Sequence, residues 1–539
     1  MIISQNNEQR SKVQLSKIQL NKVALILAVI HWVVSFASDR LVFTYNLLDF
    51  SNLTTSVKTI LAWGAKLAFL VLLIILWQFV VYLYLEYRNS NEKIKMYLRY
   101  TQIYFSIMVL FFVMLAPGLW RMDEFGILKN AVNILPVFWQ GYLTSIFYIF
   151  ALMLLPSPAG IIIVQIGVIS LIVGYIIYKC SNLLHKKWLV YVMYIPFLLF
   201  PVIDSNFYPI RMSLYAFLEL LFAFELFSIK YENREIKMKN IWLLASLAGV
   251  LICWRTEAIY YIVLAPVTFI ILFYKVTSRR VKIQFTLATI IISGLLTSVQ
   301  LLGNKLVSGN QYEITSVVLP ITPLVYEATQ NDDKQMLEPI NKVLDTEILM
   351  KGYQEGKTGI AIYWSESELV KTGYSSEEFA NFKSAYYKLI MKYPGVFIKE
   401  RIETFVGSTG ILNETENLFA DDAKDYYVNF RETYHYSSPF LRSDTVKLLE
   451  FTDHEFVHNI FYSFLPQALL LIGTCLVLLI KRNWGYFFIC ANVCAKIPLI
   501  FLTAPSRLFM YYYSIFLVGS VLFGMMIVFI IDIRLKNIK

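Results

Sequence analysis

Long apolar segments recur along this 539-residue chain, and they constrain its fold more than any other feature. Each is about as long as the 20 or so residues that a helix needs to cross a bilayer. Apolar residues follow one another in these segments and do not alternate with polar ones as in a transmembrane β-barrel. Their backbone N–H and C=O groups must therefore form hydrogen bonds within helices. The chain is 57% hydrophobic and only 16% charged, and we predict an all-α polytopic membrane protein. The predicted spans are 21–38, 60–84, 101–119, 158–178, 188–203, 210–228, 240–254, 257–274, 283–302, 459–480, 484–504 and 507–531.

Lysine and arginine in the short connectors predict the orientation, because basic loops stay on the cytoplasmic side. The basic connectors are residues 1–20, 86–99, 179–187, 230–239, 275–282, 481–482 and the C-terminal tail. If the apolar segment 139–155 crossed the membrane, several of these loops would be exported. We therefore interpret it as a juxtamembrane or re-entrant segment. Twelve crossings then leave both termini in the cytoplasm.

One connector, residues 303–458, is far longer than the others and is predicted to be an extracytoplasmic domain. It holds 15 Lys and Arg against 24 Asp and Glu, a net charge of −9, so the rest of the chain carries +19. Within it, Ser376 is predicted to cap the start of a helix that breaks at Pro394. The short second helix would lie on the membrane surface or pack inside the domain. The domain organisation is thus 1–20 cytoplasmic, 21–302 transmembrane with an outer loop at 120–157, 303–458 extracytoplasmic, and 459–539 transmembrane.

Charged side chains are predicted to gather at the outer ends of the helices. Any one of them could simply anchor a helix end, but together they indicate a site. Arginines beside acids suit a phosphorylated ligand with its tail in the lipid, because guanidinium groups clamp phosphate. These residues are Asp123, Glu124, Asp204, Arg211, Arg255, Glu257 and Arg507, with Lys496 inside a helix nearer its outer end. Glu219 lies in mid-span, so Glu219 and Lys496 need partners, a water-filled cavity, or each other.

Two cysteine and histidine pairs have helical spacing but are not predicted to bind metal. Cys490 and Cys494 are one helical turn apart, as are His454 and His458. Neither pair has an assignable third ligand in the sequence. All five cysteines are placed in helices or at a cytoplasmic end, where none would staple an exported domain.

The layout resembles the GT-C class of integral-membrane glycosyltransferases. An acidic residue follows an early helix in "PGLWRMDEF", and an amphipathic or re-entrant run, "FWQGYLTSIFYIFALMLLPSP", comes next. Outer turns carry arginine in "CWRTEAIYY" and "APSRLFMYYY". The likeness covers about 100–302 and 459–531. The acid is not followed by His-Pro-Pro and no Trp-Trp-Asp is present, so the motifs do not specify a subfamily.

This resemblance implies a GT-C-like helical bundle that moves a sugar from a polyprenyl-phosphate donor to an extracytoplasmic glycan or lipid acceptor, with inversion. Asp123 matches the catalytic base or metal contact, and Glu124 is the second acid. A divalent metal ion is the one cofactor that the resemblance allows. Inverting transfer needs a carboxylate to activate the acceptor and cations at the leaving phosphate, so Asp123, Arg255 and Arg507 would suffice. The expected location is a cell membrane, in particular a bacterial plasma membrane, and no nucleic-acid partner is expected.

Two other functions fit a chain with twelve helices. A polysaccharide repeat-unit polymerase also has one large outer loop and catalytic arginines. A secondary transporter or lipid flippase is the alternative from a different class. The sequence shows no internal hydropathy repeat of the kind that many transporters have, but Glu219 and Lys496 keep transport open.

Overall fold

A computed structural model describes residues 21–44, 47, 56–120, 122–139, 141–308, 310–410, 451 and 455–537. Every regular element among these residues is helical, and the one β-type contact is an isolated bridge between Leu344 and Val370. The prediction of an all-α chain is therefore confirmed for the part that the structure describes.

The helices in the N-terminal part of the chain are α1 Asn21–Leu41, α2 Ser56–Arg88, α3 Glu92–Leu115, α4 Met122–Ala131, α5 Tyr142–Leu154, α6 Pro158–Leu183, a 3₁₀ segment Lys187–Leu198, α7 Phe200–Phe207, α8 Arg211–Tyr231, α9 Met238–Trp254, α10 Tyr261–Leu272 and α11 Arg279–Gly303. Those that follow are α12 Gln311–Gln330, α13 Lys334–Asn341, α14 Thr346–Gln354, α15 Gly359–Ser365, α16 Ser376–Lys392, α17 Pro394–Ser408, α18 Glu455–Phe461, α19 Leu465–Ile480, α20 Trp484–Cys494, α21 Lys496–Thr503 and α22 Tyr513–Asn537.

Nine helices of the described residues are long and apolar enough to cross a bilayer, which is consistent with a multi-pass membrane protein. A tenth crossing results if the 3₁₀ segment and α7, which meet at 66°, form one broken span. The predicted crossings at 240–254 and 257–274 correspond to shorter apolar helices, α9 and α10. At 1.5 Å per residue, the 17 residues of α9 extend about 26 Å, slightly less than a bilayer core of about 30 Å. The 13 residues of α5 extend only about 20 Å.

The described residues divide into two compact units. The first comprises the residues up to Phe217 together with those from Gly524 onward. Within it α3 packs closely on α6, because Gly174 presents no side chain where a Cβ would come 2.1 Å from the Thr101 hydroxyl oxygen. The same unit holds a buried ion pair in which the Lys66 ammonium lies 2.7 Å from the Asp39 carboxylate. Pairing explains how a lysine is accommodated inside apolar α2.

The second unit contains the described residues between Leu218 and Phe523, and it includes a small helical domain, α12 to α17, with its own apolar core. The predicted break at Pro394 is confirmed, since α16 ends at Lys392 and α17 begins at Pro394. The cap of α16 is Ser375, one residue before the predicted Ser376. The Ser375 hydroxyl accepts from the Glu378 N–H at 3.1 Å, and the Glu378 carboxylate accepts from the Ser375 N–H at 2.8 Å. This reciprocal pair places the helix start.

Candidate functional site

The segment between α3 and α4 is held against the end of α7 in the first unit. The Leu119 N–H donates to the Phe207 carbonyl at 2.9 Å. Gly118 has φ +110°, and a Cβ there would come 2.7 Å from the Ile162 side chain and 3.0 Å from the Phe207 carbonyl oxygen. Only glycine combines this backbone angle with so close an approach. The start of α4 is thereby fixed beside the turn that follows α7.

Asp123 and Glu124, the acid pair, lie in the first turn of α4. Asp123 is exposed, whereas Glu124 is completely buried, because neighbouring helical residues point about 100° apart. Both carboxylates interact electrostatically with Tyr148 of α5, whose hydroxyl donates to the Pro209 carbonyl at 2.8 Å. The acid pair, α5 and the turn before α8 thus form one connected group.

Asp204 lies inside α7 and is fully buried, although the sequence placed it in an outer loop. The turn after α7 is tied down by Gln165 of α6, whose amide donates to the carbonyls of Asn206 and Tyr208 at 3.0 Å each. Arg211 is the first residue of α8 and is partly exposed. The first unit therefore places Asp204 and Arg211 on elements joined by this short turn.

The second unit pairs Glu219 with Lys496. The Lys496 ammonium lies 2.5 Å from one Glu219 oxygen and 2.8 Å from the Ser514 hydroxyl, and the Tyr261 hydroxyl donates to the other Glu219 oxygen at 2.8 Å. Both charged side chains are essentially inaccessible to solvent. Of the three possibilities that the sequence allowed for these charges, the structure therefore contains the one in which they partner each other.

Arg255 and Glu257 lie beside this ion pair, on the connection between α9 and α10. The Arg255 Nε donates to Glu257 at 2.7 Å and an Nη also contacts that carboxylate, while the guanidinium lies 5.7 Å from the centre of the Tyr511 ring. Both residues interact electrostatically with Lys496. Glu219, Arg255, Glu257 and Lys496 thus make a charge cluster of two anions and two cations.

Residues of α17 form ion pairs that the sequence did not single out. Arg507 contacts Glu403 at 3.3 Å. Arg401 is fully buried, pairs with Glu400, and donates to the Ala504 carbonyl at 2.7 Å. In the sequence, the charges of the α17 segment "FIKERIETF" indicate the polar face of a surface helix. The sequence feature that could have indicated the burial of Arg401 is its position on the same face of the helix as the apolar residues.

Among the described residues, no group of three potential metal ligands contains Asp123 or Glu124. The three-ligand group found in them consists of Cys475, Cys490 and Cys494, and includes neither acid of the pair. His458 is in α18, with its ring stacked on Tyr462. His454 lies outside the described residues, so the His454–His458 pair is not defined there.

No family model, no curated protein and no solved structure matches this chain. Its function must therefore be argued from its own residues.

Proposed function

We propose that this chain is a multi-pass membrane glycosyltransferase that moves a sugar from a polyprenyl-phosphate donor to an extracytoplasmic glycan or lipid acceptor. The observation that carries the proposal is the acid pair at the start of α4, with one carboxylate exposed and the other buried beside Tyr148. A base must be reached by the acceptor hydroxyl, and Asp123 is the accessible acid of the two. Glu124 is assigned a positioning role because its carboxylate is enclosed.

In the proposed reaction, Asp123 takes the proton of the acceptor hydroxyl as that oxygen forms a bond to the anomeric carbon. The bond from this carbon to the donor phosphate breaks on the opposite face, so the configuration inverts. The lipid phosphate leaves with the bonding electron pair, and no covalent enzyme intermediate forms.

Binding of the lipid phosphate is assigned to Arg255 and Arg507, with Arg211 as a further candidate. Arg507 and Arg211 are partly exposed, whereas the Arg255 side chain is 3% exposed and would have to become accessible when the donor binds. Both Arg255 and Arg507 already contact a carboxylate, Glu257 and Glu403 respectively. A guanidinium has five N–H donors in a planar fork, so it can hold a carboxylate and a phosphate together. The carboxylates would orient the guanidinium groups before the donor binds. A repeat-unit polymerase would use arginines in the same way, and differs in transferring a whole repeat unit.

A transporter or lipid flippase is the second candidate, favoured by the buried pair of Glu219 and Lys496. Ionisable groups inside membrane helices are costly and often mark ion or proton pathways. In that case the pair would open during transport, and the acid pair on α4 would have no chemical role.

The experiment uses Asp123→Asn, with exposed Asp332→Asn as the matched control. Protein in lipid nanodiscs is incubated with a radiolabelled polyprenyl-phosphate sugar. The sugar used is the one whose lipid-linked form accumulates in cells lacking the gene. We expect Asp123→Asn to lose about 10²-fold or more in transfer rate, because asparagine keeps the shape but has no basic carboxylate. Glu124→Gln should lose less.

Normal turnover in Asp123→Asn would remove the base assignment, and loss confined to Glu124→Gln would move it to Glu124. In a parallel assay in closed proteoliposomes, sugar-lipid that crosses the bilayer without being cleaved, in wild type and Asp123→Asn alike, would favour the flippase instead.

A further inference from the structure

Three cysteines converge between α19 and α20, in a place that the proposed reaction does not use. The sulfur atoms of Cys475, Cys490 and Cys494, the thiol cluster, all lie within 4.8 Å of one another. The Cys475 and Cys494 sulfurs are 3.7 Å apart, and Cys490 donates to the Leu471 carbonyl at 3.3 Å. The short connection between α19 and α20 makes the helices neighbours, so Cys475 faces the two cysteines that are one turn apart on α20.

From this geometry we propose that the thiol cluster binds a single soft metal ion, Zn²⁺ or Cu⁺. A metal–sulfur bond of about 2.3 Å places three sulfurs about 3.8 Å apart in a tetrahedral set and about 4.0 Å apart in a trigonal one. The Cys475–Cys494 separation of 3.7 Å is close to both values, and the other two sulfur pairs lie within 4.8 Å. Thiolates select soft ions such as Zn²⁺ and Cu⁺ over Mg²⁺ and Ca²⁺.

The charge of a bound cation would balance the charge of the sulfurs that hold it. Coordination releases the thiol protons, and three thiolates alone could not be buried together. Zn²⁺ reduces their total charge to −1, and Cu⁺ to −2. The connection between α19 and α20 carries the exposed Lys481 and Arg482, which begin six residues, or about 9 Å along the helix, from Cys475 and so offset the remaining negative charge only weakly. Our topology also places this end of α19 on the cytoplasmic side, where thiols stay reduced and disulfides are rare.

A metal ion here would clip α19 to the end of α20. Cys494 is the last residue of α20, and Lys496 is the first of α21. The bound metal would thus hold the end of α20 in place where α21 begins, and would keep the ammonium of Lys496 directed toward Glu219. Its role would be structural, and it is independent of the glycosyltransferase proposal.

Metal content tests the proposal directly. The metal content per chain is measured by elemental mass spectrometry on proteins purified in detergent. The proteins are wild type, the single variant Cys494→Ser, and a triple variant that combines Cys475→Ser, Cys490→Ser and Cys494→Ser. The single variants Cys180→Ser and Cys253→Ser are the controls. These two controls remove buried cysteines outside the thiol cluster. We expect about one Zn²⁺ or Cu⁺ per chain in wild type and both controls, and a fall of about tenfold or more in the triple variant.

A second measurement needs no variant. X-ray absorption of metal-loaded wild type should show sulfur neighbours at about 2.3 Å, and titration with Zn²⁺ or Cu⁺ should saturate while Mg²⁺ does not bind. Equal metal content in wild type and a folded triple variant would overturn the proposal. So would a Cys475–Cys494 disulfide found by peptide mass spectrometry, or a wild type that takes up no metal on titration.

Discussion

Single residues show where sequence reasoning stops. Insertion cost alone requires that Glu219 and Lys496 have partners. It does not say which, because the two residues are 277 positions apart and meet only through a side-chain contact between α8 and α21. The acid pair is similar: the sequence places Asp123 and Glu124 just after a helix end, while their position in the first turn of α4 and their division into an exposed and a buried acid are seen only in the structure.

The pair of Glu219 and Lys496 should behave as a unit in stability measurements. Glu219→Gln or Lys496→Met alone leaves a buried charge without its counter-ion and should lower the free energy of unfolding by about 3–5 kcal/mol. The double variant removes both charges, and its glutamine side chain would keep an acceptor for Tyr261, so it should recover most of that loss. Thermal unfolding in detergent, followed by size-exclusion chromatography, measures all four proteins. Additive losses in the double variant would mean that the pair contributes no coupling.

Arg255→Lys should impair the proposed transfer although it keeps the positive charge. The guanidinium contacts Glu257 through two nitrogens, and an ammonium cannot hold a carboxylate and a phosphate in this planar arrangement. A charged hydrogen bond is worth about 1.5–3 kcal/mol, which corresponds to a loss of roughly tenfold or more in turnover. Arg279→Lys, an exposed position at the start of α11, is the control. Wild-type rates in Arg255→Lys and Arg255→Ala, at equal protein level, would make Arg255 a structural anchor.

At the scale of helices, local signals were predictive and contacts between distant segments were not. Pro394 breaks α16 from α17 as expected, because proline cannot continue a helix interior. The sequence does not predict the thiol cluster, because the cluster depends on a contact between two helices. Cys490 and Cys494 are on one helix and were recognised as a pair, but the third sulfur comes from α19. Likewise, the bond from Arg401 to the Ala504 carbonyl joins residues 103 positions apart.

The cap of α14 should make the small helical domain sensitive to acid. Burial would raise the pKa of Asp345, but its hydrogen bonds to the Ile348 and Glu347 N–H groups and its pairing with Lys371 outweigh burial and lower this pKa below 3.8. The stabilisation is therefore present above pH 3.8 and is lost as the pH falls through the lower, folded-state pKa.

Asp345→Asn measures this contribution, because asparagine can still cap the helix but carries no charge. At pH 7 the variant should be less stable by about 0.5–1 kcal/mol, a modest value because the carboxylate is partly exposed and screened. Thermal unfolding at pH 7 and near pH 3 compares the two proteins. The difference should shrink at the lower pH, and a difference that is equal at both would show that the charge of Asp345 does not stabilise α14.

At the scale of the whole molecule, composition predicts a helical membrane protein, and the described residues agree with it. The number of crossings depends on α9, α10 and the bent pair formed by the 3₁₀ segment and α7, all of which are at or below the length of an ordinary span. Hydropathy cannot decide such segments, since a short apolar helix can be buried in protein as well as in lipid. The side on which each connector lies therefore rests on its charges.

Cysteine labelling tests the predicted orientation. Ser365→Cys and Thr372→Cys place a thiol at exposed positions in the helical domain α12–α17, and Ser278→Cys places one in the basic connection before α11. With twelve crossings and a cytoplasmic N-terminus, the first two should react with an impermeant maleimide in intact cells and the third only after permeabilisation. Wild type, whose five cysteines are mostly buried, gives the background. Labelling at Ser278→Cys with protection of the other two would reverse the orientation. Because the proposed acceptor is extracytoplasmic, that result would also contradict the proposed reaction as it is written for Asp123.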